Sequence, residues 1–313
     1  MYAILSVTAP IFILIALAFV AVHARWIPRE GALALGRYAL LFALPALLFN
    51  TLSKRPLAEL VVMDFLTVYA GTSLLVYGLG ILIASLIRRS APAANAFYGL
   101  GVSMSNSSYI GYPLVAQLLG EPALVAVVMA ILTEVLLILP ITLILAEFAQ
   151  ARAQGGPWRT LGKVLWTVGM NPIVLAIGAG ILFAAFDWRL PIALGRTLDM
   201  LAGSAAVVAL FAIGGGLASQ RVQGSVGPAL AVAAGKLIGH PLVALGMLSL
   251  VPQLDPVLRQ AALILAGLPM VTLYPLLAQR YGQGETAATA LVLATLLAFF
   301  TLNLELALFV RPA

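Results

Sequence analysis

Three ionisable side chains stand inside apolar runs of this 313-residue chain: Glu134, Lys236 and Glu305. A charge at the centre of a bilayer helix costs about 2.5–3.5 kcal/mol on insertion scales, so such groups are usually kept for binding or for exchanging a proton. Lys236, among Gly235, Gly239, His240 and Pro241, is placed to meet a carboxylate ligand or Glu134. The competing reading has it snorkel to the nearer surface. Glu134 lies deeper and is the proton-coupling candidate. Glu305 stands near the end of its run, where a bland role is expected, and His240 reads as a packing residue. A second polar group comprises Ser103, Ser105, Asn106, Ser107, Ser108 and Tyr109, followed by Gly111 and Pro113. Proline removes a backbone donor and clashes with the preceding turn. A helix is therefore expected to break here and to resume near Ser107, with unpaired N–H groups and a positive dipole end suited to a carboxylate. Gly267, Pro269, Thr272 and Pro275 mark a second break. Taken singly, either stretch reads as a proline kink; taken together, they read as a binding site. Asn50, closing the run Leu44–Asn50, either faces the same cavity or caps its helix.

Catalysis finds little footing in these residues. The chain has no cysteine and two histidines, and no H-E-x-x-H, G-x-S-x-G or P-loop pattern. No enzyme activity, cofactor or metal site is expected, and the absence of a P-loop speaks against an ATP-driven pump.

The elements that position these groups are membrane spans. Hydrophobic residues make up 63% of the chain and charged ones 9%, against roughly 25% charged in soluble domains; mean hydropathy is +1.09. Lipid must solvate most of such a surface. Apolar stretches of about 20 residues fall near 3–22, 34–53, 65–87, 92–119, 122–146, 165–186, 198–218, 228–250, 258–279 and 286–310. The expected fold class is an all-α polytopic membrane protein of ten helices. No Lys or Arg precedes the first run, and Arg25 and Arg29 follow it, the reverse of a signal peptide.

Counting from an external N-terminus, the cytoplasmic connections hold Arg25, Arg29, Arg37, Arg88, Arg89, Arg152, Arg159, Lys163, Arg221 and Arg280. The external side holds Lys54, Arg55, Arg189, Arg196, Arg259 and Arg311. The excess follows the positive-inside bias and puts both termini outside, in a plasma (inner) membrane. It also explains the net charge of +6 without nucleic acid. The partners expected are a small organic anion, the bilayer, and a second copy of the chain.

The organisation is duplicated. Tyr-Pro-Leu-Val-Ala-Gln-Leu-Leu-Gly at 112–120 matches Tyr-Pro-Leu-Leu-Ala-Gln-Arg-Tyr-Gly at 274–282, an offset of 274 − 112 = 162 that also pairs Pro10 with Pro172. Residues 1–150 and 165–313 are expected to be two five-helix repeats joined by a cytoplasmic connection at 151–164. Five is odd, so the second repeat enters from the opposite face, the inverted topology of many secondary transporters.

Pro10, FALPALLFN at 42–50, SNSSYIGYPL at 105–114, Lys236 with Pro241, and GLPMVTLYPLLAQRYG at 267–282 together resemble the auxin efflux carrier family of bacterial and plant permeases. The resemblance implies a fold similar to bile-acid symporters and sodium/proton antiporters. Spans 1, 2, 6 and 7 would form a scaffold that also carries any homodimer contact. The other six spans would form an elevator-like transport domain in which spans 4 and 9 cross. It implies organic-anion substrates such as malonate, malate or auxin, and it carries Asn106, Ser107, Pro113, Pro269 and Pro275 as site-forming positions. One departure is Val207–Val208, where members often have a proline matching Pro45; span 7 is expected to be straighter for it. Channels and intramembrane enzymes are the competing classes.

Overall fold

The computed structural model describes residues 2–88, 91–151, 157–220 and 226–309. Arg89, Arg152, Arg221, Arg311 and the Gln154-Gly155-Gly156 part of the central connection lie outside the described residues. The first elements are α1 (Tyr2–His23), α2 (Arg29–Tyr38), α3 (Leu44–Ser53) and α4 (Met63–Ile83). Next come α5 (Pro92–Ser103), α6 (Tyr112–Leu119), α7 (Leu124–Thr133), α8 (Leu139–Ala151), α9 (Pro157–Gly169) and α10 (Pro172–Ala185). The last six are α11 (Ile192–Ser219), α12 (Val226–Ala234), α13 (His240–Leu250), α14 (Pro256–Gly267), α15 (Tyr274–Gln279) and α16 (Gly284–Phe309).

Seven helices among the described residues are long and apolar enough to cross a bilayer, and α9 with α10 makes an eighth if the bent pair is one span. The stretch expected as one span at 165–186 is in fact bent by 61°. Asn171 caps α10, its side chain accepting from Ile173 N at 2.9 Å, and Pro172 takes the first helical position, where a missing N–H is harmless. The two remaining expected spans, 92–119 and 258–279, are not continuous helices: each is two short helices around a break.

Two groups of helices pack as neighbours. In one, α11 lies along α1, α2 and α3, and α10 lies on α3. In the other, α4 packs on α5, α7 and α13, while α12, α14 and α15 pack on α16. Lipid tails are as apolar as leucine, so close fit rather than water exclusion holds such helices together. Gly214 shows the principle: a Cβ there would overlap the Ile15 carbonyl of α1. Large apolar side chains such as Leu175, Leu182, Met200, Phe300 and Leu304 face outward, as a lipid-solvated surface requires. Val207 sits in an unbroken α11, whereas its counterpart Pro45 follows a widened turn; the missing proline does leave this helix regular.

Candidate functional site

The site begins where the two broken stretches meet. Met104 and Leu268 are both extended. Leu268 precedes Pro269, whose ring disfavours helix at the residue before it. Ser105 and Met270 form an isolated antiparallel bridge, and Asn106 N donates to the Pro269 carbonyl at 2.9 Å. The Asn106 Nδ2 donates to Thr272 Oγ1 at 2.8 Å. Backbone groups freed by each break are thus answered partly by the other, which is what allows irregular chain to sit inside a membrane protein. Gly111 tightens the join, since a Cβ there would meet Leu265 Cδ2 at 2.8 Å. Regular α-helix resumes at Tyr112, after a π turn over Ser107–Gly111, and at Tyr274, the residues related by the repeat offset.

Four widened π turns share one local cause. They run Ala39–Ala43, Ser107–Gly111, Glu134–Ile138 and Gly235–Gly239, and each ends two residues before a proline: Pro45, Pro113, Pro140 and Pro241. A proline ring collides with the carbonyl four residues back. The residue just before it bonds five back instead, Leu44 to Ala39, Tyr112 to Ser107, Leu139 to Glu134 and His240 to Gly235. Such π bulges recur at functional sites because they re-aim side chains. Here they carry Ser107, Glu134 and Lys236 toward the breaks.

Glu134 is 2% exposed. Its Oε1 accepts from Ser107 Oγ at 2.6 Å, Tyr69 Oη at 2.9 Å and Ser105 N at 3.3 Å. A carboxylate therefore stands at the positive end of the resumed helix. The anion expected at the Ser107 donors is supplied by the protein itself. Lys236 is fully buried; its Nζ donates to the Ala266 carbonyl at 2.6 Å, in the last turn of α14. A cation therefore stands at the negative end of the other half-helix. It does not snorkel. It lies close enough to Glu134 and Glu305 for its charge to act on both, yet it is not directly paired: the only ion pair within 4.0 Å among the described residues is Lys54–Asp199. His240 Nδ1 lies 3.0 Å from Lys236 Nζ.

Ser105, Asn106, Ser108, Tyr109, Glu134 and Thr272 line a small cavity of about 80 Å³, and Asn171, not singled out from the sequence, joins them. Tyr109 Oη also donates to the Gly36 carbonyl at 3.3 Å, tying the break to α2. Pro269 contributes its carbonyl, Pro113 sets the π turn, and Pro275 opens α15 beside a different depression. Asn50 is elsewhere: its Nδ2 donates to Asp199 at 3.0 Å in a separate cavity of about 640 Å³. Lys54 donates to the same carboxylate oxygen, also at 3.0 Å. Three residues of the cluster were not expected there: Tyr69, His240 and Glu305. The available signal was Lys236 and His240 one turn apart, before Pro241. Glu305, read as an end-of-helix residue, is 7% exposed and has its carboxyl against Gly267.

Residues 3–305 match the family model described as "Membrane transport protein". Over 291 residues the chain is 31% identical to the "Putative malonate transporter" of Rhizobium meliloti (strain 1021), covering 92% of this chain and 90% of that protein. It is 26% identical over 226 residues, 70% of each chain, to an "Uncharacterized transporter" of Methanothermobacter thermautotrophicus.

Proposed function

This chain belongs to the membrane transport protein family, that of the auxin efflux carriers, and from that premise we propose that it is a secondary transporter of a small organic anion. It is a multi-pass membrane protein. The substrate class we favour is a short carboxylate of malonate size, the ligand named for the relative at 31% identity. The observation that carries the reading is the pair of facing breaks with Glu134 and Lys236 buried at their opposite dipole ends. Packing alone would be served better by two unbroken apolar helices, without the cost of burying charge.

In this reading the chain has ten spans as an inverted repeat. The group around α11 is the scaffold, through which a homodimer would form, and the group around α4, α5, α13 and α16 moves as an elevator. Both termini lie outside a plasma membrane. What supports the division is the packing of the two groups and the matched restart of helices at Tyr112 and Tyr274. The substrate enters the cavity between Asn106, Ser108, Tyr109 and Thr272. Glu134 lines the same cavity, so an anion approaches a carboxylate there. Like charges at such a distance are tolerated in a low dielectric only if positive charge arrives as well. Transport is therefore expected to be coupled, with a proton as the incoming charge.

The test is uptake of radiolabelled malonate into liposomes holding the purified chain. A carrier gives saturable uptake that is stimulated by unlabelled malonate inside. Flux that never saturates would identify a channel, and a panel of mono- and dicarboxylates that all fail would remove the anion assignment.

A further inference from the structure

Glu305 poses a problem that the substrate cavity does not solve. It projects from α16 and is 7% exposed. Its Oε1 is buried with no hydrogen-bond partner among the described residues. Its Oε2 fills the space a side chain would need at Gly267, where a Cβ would collide with it. Glu134, by contrast, has three donors. An ionised carboxylate without donors is among the most costly groups to bury, and it ordinarily becomes neutral instead.

Charge counting leads to the same place. The charge that reaches Glu305 is that of Lys236, from the π turn leading into α13. Lys236 also acts on Glu134, from the π turn between α7 and α8, and lies against His240, while Tyr69 of α4 donates to Glu134. The facing end of α14 offers only the Ala266 carbonyl, taken by Lys236, and Gly267. With Tyr69 and His240 neutral, two carboxylates and one lysine leave a net charge of −1. One proton makes the buried cluster neutral. A metal ion is less suited, since no group of three His, Cys, Asp or Glu among the described residues could hold one.

We propose that Glu305 is a proton-binding site: its carboxyl holds one exchangeable proton, which it takes from water on one side and releases to the other in each transport cycle. When the O–H bond breaks, the proton leaves to water and the carboxylate shares Lys236 with Glu134, so the cluster carries −1 until the proton returns. When an anion nears Glu134, the proton returned to Glu305 cancels one unit of negative charge and leaves only the anion's own charge in the interior. Gly267 is the residue that makes room for this group. The role in coupling rests on the transporter reading above; the proton site itself does not.

The full-length chain in lipid nanodiscs provides the first measurement, an infrared pH titration of the protonated-carboxyl stretch. The expected result is a titrating band that is absent in Glu305→Gln and displaced in Gly267→Ala, both variants being checked for folding by their melting transitions. A band unchanged in folded Glu305→Gln, or no titrating band in the parent chain, overturns the proposal. Liposome uptake of labelled malonate gives the second. With an inward gradient of one pH unit, one-to-one coupling supports about tenfold accumulation, and Glu305→Gln should lose it. Equal accumulation in that variant, or uptake driven by sodium and blind to pH, overturns the coupling while leaving the transporter reading in place. A titrating Glu305 band in a chain that takes up no malonate supports the site and sinks the substrate assignment instead.

Discussion

Asn106 and Thr272 are joined by a single side-chain hydrogen bond at 2.8 Å, whereas the backbone bridge between the breaks uses Asn106 N and the Pro269 carbonyl. The two can be separated by mutation. Asn106→Ala keeps the bridge and loses one partly buried hydrogen bond, worth about 1 kcal/mol. The chain should fold, and the melting-point rise given by malonate or related acids in a thermal-shift screen should vanish; an unchanged rise places the ligand elsewhere. Tyr69→Phe removes one of the three donors to Glu134 and keeps the ring stacked on Phe65. Bonds to a charged acceptor contribute about 1.5–3 kcal/mol, so a lowered melting temperature is expected. Lys236→Met is the harsher change. It strips the cation from two buried carboxylates, and loss of one partner from such a set costs about 3–5 kcal/mol. Adding Glu305→Gln to it removes one of the stranded charges at a pH high enough to ionise Glu305, and should there recover part of the lost melting temperature. If the double variant is no more stable than Lys236→Met alone, the two residues do not share a charge balance.

Proline spacing decides the behaviour of the elements. At Pro140 the widened turn Glu134–Ile138 adds one residue to the helix repeat. Restoring a regular helix would rotate Glu134 by about 100°, the angle per residue at 3.6 residues per turn. Pro140→Ala removes the clash that demands the widening. It is expected to keep or raise the melting temperature while weakening the malonate response in the same screen; a full response would mean that packing, not proline, holds the turn. This locality also explains what could be read from the residues beforehand. The breaks at 104–106 and 268–273 were legible because Gly, Pro and the serine run are local signals. The bend between α9 and α10 was not, because one asparagine cap in an apolar run is a faint mark. Nor was the company of Lys236. Its partner Ala266 is 30 residues away, and Glu134 meets Tyr69 across 65, so packing alone brings them together. Asn50 could have faced either way, and an aspartate 149 positions on settled it.

At the scale of the whole molecule, the elevator reading requires one helix group to slide past the other, so any bond between them must break in each cycle. Thr8 of α1 and Asn303 of α16 form such a bond: Thr8 Oγ1 donates to Asn303 Oδ1 at 2.9 Å, in the interior. The chain contains no cysteine, so a Thr8→Cys, Asn303→Cys pair introduces the only two thiols present. A mercuric ion, which joins two thiolates, would lock α1 to α16 in this arrangement. Malonate uptake by the double variant should fall to background on adding mercury and return when a competing thiol removes it. Each single variant should be insensitive, which separates locking from simple thiol modification. Because the lock sits between the groups and not in the cavity lined by Asn106 and Thr272, ligand-induced stabilisation should survive it. Undiminished uptake with the bridge complete would show that α1 and α16 travel together. Alternating access would then have to arise from motion within one group, and the division into scaffold and moving part would be wrong.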